Sequence, residues 1–122
     1  MGYIFDIDDE TVWSPSLRAG ALYVSLAEAI APSLGRSTGL NAIAEDMYDI
    51  NLPTFCDFTR TLLADYCSTN HAVIHEMVRG VLLASLVMLR PGGINLSPDN
   101  EEPESIWSAL PGLARSMPTN AS

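Results

Sequence analysis

The chain of 122 residues has no lysine, and its six arginines face fifteen aspartates and glutamates for a net charge of −9. Without a cluster of arginines to offset that deficit, neither a nucleic-acid backbone nor an anionic membrane surface is attracted to it. The partners that suit such a charge are a basic protein, a cation or a neutral small molecule. Cysteine is also scarce. Cys56 and Cys67 are eleven residues apart on one expected helix, which separates them by roughly 16 Å. A disulfide requires Cα atoms within roughly 7 Å, so both thiols are expected free, as suits a cytoplasmic protein. No glycine-rich phosphate loop, GxSxG elbow or CxxC pair occurs. The acidic opening residues do not read as a secretory leader. The most apolar run, "VLLASLVML" at 81–89, is about half the length of a membrane span.

What the chain does have is apolar content, 48% of its residues, enough for a single domain with a core. Tyr3, Phe5 and Ile7 alternate with Ile4, Asp6 and Asp8, the period of a half-buried strand. A turn at 8–10 and a returning strand at 11–13 complete a β-hairpin, with Phe5 and Trp13 facing inward. Ser14 and Pro15 open a helix that runs to about Ala31 and packs Leu22, Tyr23, Leu26 and Ile30. A short helix is expected from about Leu40 to Tyr48, with Leu40, Ile43, Ala44 and Met47 on one side. Asn51 caps the next, whose stripe is Phe55, Phe58, Leu62, Leu63 and Tyr66. The last long helix, from His71 to about Arg90, is apolar over most of its circumference and should be the central one.

These elements predict a mainly α protein: a small four-helix bundle preceded by an N-terminal β-hairpin. Residues 1–93 form the hairpin and bundle. Residues 94–122 form a proline-rich tail, partly disordered, with one short helix near 104–110.

Residues 3–16, "YIFDIDDETVWSPS", resemble the first motif of the haloacid-dehalogenase phosphatase superfamily through Asp6, Ile7, Asp8, Asp9, Thr11 and Val12. That resemblance implies Asp6 as nucleophile and Asp8 as acid about a Mg²⁺ ion, on a Rossmann-like sheet. The chain departs from the pattern in lacking lysine, in the extra Glu10 before Thr11, and in its helical remainder. The insertion is expected to turn Thr11 to the wrong side of the loop. The reading adopted is an acidic turn in which Asp6, Asp8, Asp9 and Glu10 form a binding edge.

"CSTNHAVIHE" at 67–76 carries both histidines, four residues apart and so on one helical face. Zinc needs further converging ligands, and about 100° per residue carries Glu76 away from the His71–His75 line, so no metal is expected. His71 and His75 are read as packed histidines or, if catalytic, as neutral general bases at the mouth of an apolar pocket.

"EDMYD" at 45–49 sets Glu45 and Asp49 as like charges near an expected helix C-terminus, each placement unfavourable by roughly a few tenths of a kcal/mol. It resembles the aspartate-rich Mg²⁺ motif of isoprenoid synthases, which need a larger bundle and a second motif. Glu45, Asp46 and Asp49 are read as a negative patch for a basic partner. In the tail, Trp107 lies on an amphipathic segment suited to a groove, in its own bundle or another protein's.

The runs "FDIDDETVWSPSLRAG", "DINLPTFCDFTRTLL" and "NHAV", across roughly residues 3–90, look like those of a family of small acidic actinobacterial proteins of unknown function. That resemblance implies an actinomycete source and no activity, cofactor or site. The expectation is a cytoplasmic accessory or inhibitor-like binding protein, a homodimer without cofactor. The alternative is a small tailoring enzyme, an isomerase, cyclase or lyase of specialised metabolism, with a histidine base between helices.

Overall fold

A computed structural model describes residues 2–92 and 104–119. Strands β1 (Ile4–Ile7) and β2 (Glu10–Trp13) form the expected hairpin. Its two-residue loop is Asp8-Asp9, both at positive φ, 50° and 67°. Two left-handed residues in succession match the right-handed twist of the flanking strands, and aspartate tolerates that conformation better than most side chains. A bulge then lets β2 bury two consecutive residues. Phe5 is opposite Trp13 and Asp6 is opposite Thr11, leaving Val12 as the extra residue, and both Val12 and Trp13 are buried.

Helix α1 (Leu17–Leu34) is capped by Ser16, whose hydroxyl accepts from the Ala19 amide at 3.2 Å. Ser14 is therefore not the cap. Its amide instead donates to the Pro118 carbonyl at 2.7 Å. The helix continues through Pro32, where the loss falls in its final turn, and ends on Gly35 at φ 65°. Its buried stripe is Gly20, Tyr23, Ala27 and Ala31. Leu22 and Leu26, expected in the core, are 56% and 42% exposed. Small residues face inward because α1 packs closely. A Cβ at Gly20 would collide with the ring of Tyr3.

The main correction lies in residues 40–50. The expected helix is a second hairpin, β3 (Leu40–Ala44) and β4 (Met47–Ile50). β4 pairs in parallel with β1, giving one mixed sheet of order β2-β1-β4-β3. The protein is thus an α+β fold whose strands and helices interleave, and not a helical bundle behind one hairpin. The parallel pair explains why extended structure wins. A lone hairpin is marginal in water, and β4 satisfies the free edge of β1, with the Ile4 amide donating to the Asp46 carbonyl at 2.8 Å. Gly39, at φ 79°, sets the turn into β3. A Cβ there would lie 2.8 Å from the Phe55 amide nitrogen.

Helix α2 (Leu52–Ser68) starts at Asn51, which accepts from the Thr54 amide at 3.1 Å, and buries Phe55, Phe58, Leu62, Leu63 and Tyr66 as read from the sequence. Helix α3 (Ala72–Leu89) buries every residue from Val81 to Leu89. It contacts α1, α2 and β2, so it is the central helix. It is an 18-residue helix long and apolar enough to cross a membrane by length and composition, longer than the run noted above, and more than half of it is buried in this fold. Helix α4 (Glu104–Arg115) extends past Pro111 and packs on α3, with Ile106 and Leu110 buried, and Met117 is buried just beyond its end. The tail helix therefore straps its own chain. The end of the tail, where disorder is expected, includes residues 120–122, which lie outside the described residues.

One face of the sheet meets the helices. Trp13, Phe5 and Tyr48 stack across three adjacent strands, with ring centroids 5.4 and 5.6 Å apart, and Tyr23 of α1 meets Phe5 and Trp13 edge-on at 5.7 and 5.6 Å. Such offset and edge-on pairs add to the gain from burial. Beneath them the Tyr23 hydroxyl shares a buried 2.7 Å hydrogen bond with Ser85 of α3.

Candidate functional site

Because β1 and β4 run parallel in register, residues one step along from the aromatic row share the opposite face of the sheet. Thr11, Asp6, Asp49 and Asn41 occupy neighbouring register positions on β2, β1, β4 and β3. Asp6 and Asp49 come from stretches read separately in the sequence, and the parallel pair sets them side by side. The Thr11 hydroxyl donates to Asp6 Oδ1 at 2.7 Å. Thr11 is therefore on the same side as Asp6, contrary to the turn expected from the Glu10 insertion, because the two-residue turn pairs Ile7 with Glu10 and Asp6 directly with Thr11. Asp6 sits within a strand that runs into a tight hairpin. It is not at the mouth of a Rossmann-like sheet.

The other acidic candidates flank this row. Asp8, Asp9 and Glu10 are exposed at the β1–β2 turn. Glu45 and Asp46 form the β3–β4 turn and not a helix terminus. Since the register pairs Ile4 with Met47 and Asp6 with Asp49, the two acidic turns lie at opposite ends of the central strands. They bracket Asp6 and Asp49 and do not merge with each other. Like charges opposite one another on a sheet destabilise it, and these carboxylates have no arginine between them. Asp6, Asp8, Asp9, Glu10, Glu45, Asp46 and Asp49 are seven of the chain's fifteen acidic residues. All six arginines (18, 36, 60, 79, 90 and 115) lie outside the sheet and its turns. One of them, Arg36, pairs with Asp57 of α2 at 2.9 Å. Among the described residues, no three histidine, cysteine, aspartate or glutamate side chains gather as a metal-binding group.

The histidines do not act as a pair. His71 is the N-cap of α3, and its Nδ1 accepts from the Ile74 amide at 3.4 Å. His75 lies flat on Tyr66, centroids 4.3 Å apart, with Nε2 buried and unpartnered among the described residues. Capping takes His71 off the helical face on which the sequence placed both rings. Trp107 is half-buried in α4, packed against the core, and its indole N–H also has no partner among the described residues. Cys56 and Cys67 are free thiols on α2. Burial pushes both thiols up from their usual range, with Arg60 pulling Cys56 partly back, so neither is an activated nucleophile at neutral pH.

The geometry defines a class, an α+β protein with one sheet face packed on helices and the other carrying Asp6 and Asp49 between two acidic turns. The chain belongs to a family of unknown function, DUF6086, whose model matches residues 1–119. No curated protein and no solved structure matches it.

Proposed function

We propose that this is a binding protein that holds a basic protein partner against the outer face of its sheet. The observation that carries the reading is charge segregation: seven carboxylates and no arginine on the strands and their turns, with every arginine in a helix or in the α1–β3 loop. Such a field raises the encounter rate with a positive surface and is screened by salt. Holding like charges on adjacent strands costs stability, offset at Asp6 only by the Thr11 hydroxyl, as expected of a surface shaped for a partner. An accessory or inhibitor-like role in the cytoplasm fits this reading.

The test compares two variants of equal charge. One neutralises the sheet (Asp6→Asn, Glu45→Gln, Asp46→Asn, Asp49→Asn) and the other the helices (Glu28→Gln, Asp57→Asn, Asp65→Asn, Glu76→Gln). In pull-downs from the native host at low salt, the native protein and the helix variant should retain the same basic protein. The sheet variant should lose it, and high salt should release it from all. Retention by the sheet variant, or no basic protein at low salt, refutes the proposal.

A further inference from the structure

The order β2-β1-β4-β3 leaves two edge strands, β2 and β3, and the hydrogen-bonding phase of β3 follows from one contact. The Asn51 amide donates to the Gly39 carbonyl at 2.8 Å, and Leu40 pairs with Ile50, Asn41 with Asp49 and Ala42 with Tyr48. In an antiparallel ladder, bonded and non-bonded pairs alternate. Asn41–Asp49 is then a bonded pair, whereas Leu40 and Ala42 direct their backbone groups away from β4. The Leu40 amide is satisfied at this edge by the Thr38 hydroxyl at 3.1 Å. The Leu40 carbonyl and both backbone groups of Ala42 are left facing outward, and residues 41–44 are exposed. No described residue outside the sheet is hydrogen-bonded to them. The usual protection of an edge by a charge or proline is missing from "LNAIA", and the irregularity at Ile43 falls beyond Ala42.

The geometry points to β3 as the docking edge for an extended, basic segment of a partner chain, added antiparallel or parallel as a fifth strand. This rests on the acidic-face reading above and specifies how that partner is held. Charge selects the occupant. A second copy would bring two sheets of seven carboxylates each edge to edge, within about a Debye length of one another. A strand with lysine or arginine at alternate positions would instead place those side chains on the outer face. They would reach across the short Asn41 toward Asp49, about 10 Å away over two strand spacings. Main-chain bonds would supply affinity and the carboxylates selectivity.

The probe is a short peptide of alternating lysine and valine, set against the same peptide N-methylated at alternate residues along its pairing edge. The two carry identical charge. By fluorescence anisotropy at low salt the unmethylated peptide should bind, and the methylated one at least about tenfold more weakly. Asp49→Asn should weaken the first and flatten its salt dependence, and binding should slow hydrogen exchange at the Ala42 amide. Equal binding of the two peptides would overturn the edge while leaving the acidic-face reading in place. Failure of both to bind would refute the two readings together. A native mass of two chains that falls to one in Ala42→Pro, with folding verified by circular dichroism, would make the occupant a second copy and refute the proposal.

Discussion

Tyr23 is the most constrained single residue of the fold. Its phenol is buried between the aromatic row and α3, and burial raises its pKa above the ordinary 10.0, with the Ser85 hydrogen bond opposing the shift in part. An acid whose folded pKa is raised keeps its full contribution to stability below the unfolded value. It loses that contribution as pH climbs past it. Unfolding free energy should therefore fall above about pH 10, and Tyr23→Phe should make that decline shallower in urea titrations across alkaline pH. At neutral pH, Tyr23→Phe and Ser85→Ala should each cost about 1–3 kcal/mol by orphaning a buried hydroxyl, and the double variant less than their sum. Additive losses would show that the two hydroxyls are not coupled. Residues like these were partly visible in the sequence. Phe5, Trp13 and the stripe of α2 announce themselves by size and spacing. Leu22 and Leu26 mislead for the same reason, since bulk suggested burial at a surface where Gly20, Ala27 and Ala31 let the helix approach.

Among the elements, the two hairpins differ in how far local sequence determines them. The first reads clearly because Phe5 is deeply buried between wetter neighbours. The second is obscured because residues 41–44 are all exposed, so no alternation of burial marks β3, and alanine, glutamate and methionine favour helix. Only the pairing of β4 with β1 decides it, and that contact is remote in sequence. The Asp6–Asp49 neighbourhood was unreadable for the same reason, although each half had been marked as acidic. The first hairpin also carries an improvable turn. Asp8 and Asp9 hold positive φ where asparagine and glycine are favoured, so Asp8→Asn with Asp9→Gly should raise stability by about 0.5–1 kcal/mol. A lower midpoint in thermal unfolding would contradict that turn geometry.

For the whole molecule, a net charge of −9 concentrated on one layer makes the free protein's stability dependent on salt. Self-repulsion among exposed carboxylates is screened as ionic strength rises. The melting temperature should increase between low and roughly 0.5 M sodium chloride. The sheet-neutralised variant should melt higher than the native chain at low salt and respond less. Equal salt responses would mean that the sheet carboxylates do not repel appreciably.

The parallel join of β1 to β4 also sets a schedule. The first hairpin leaves the ribosome well before Met47–Ile50 exists to cover the inner edge of β1. At about 5–20 residues per second, that interval is on the order of seconds. During it Asp6, Asp8, Asp9 and Glu10 are the only charges on the emerging strands, and charge at an uncovered strand edge disfavours pairing with another chain. Variants that neutralise these four carboxylates should therefore lower the soluble yield on expression.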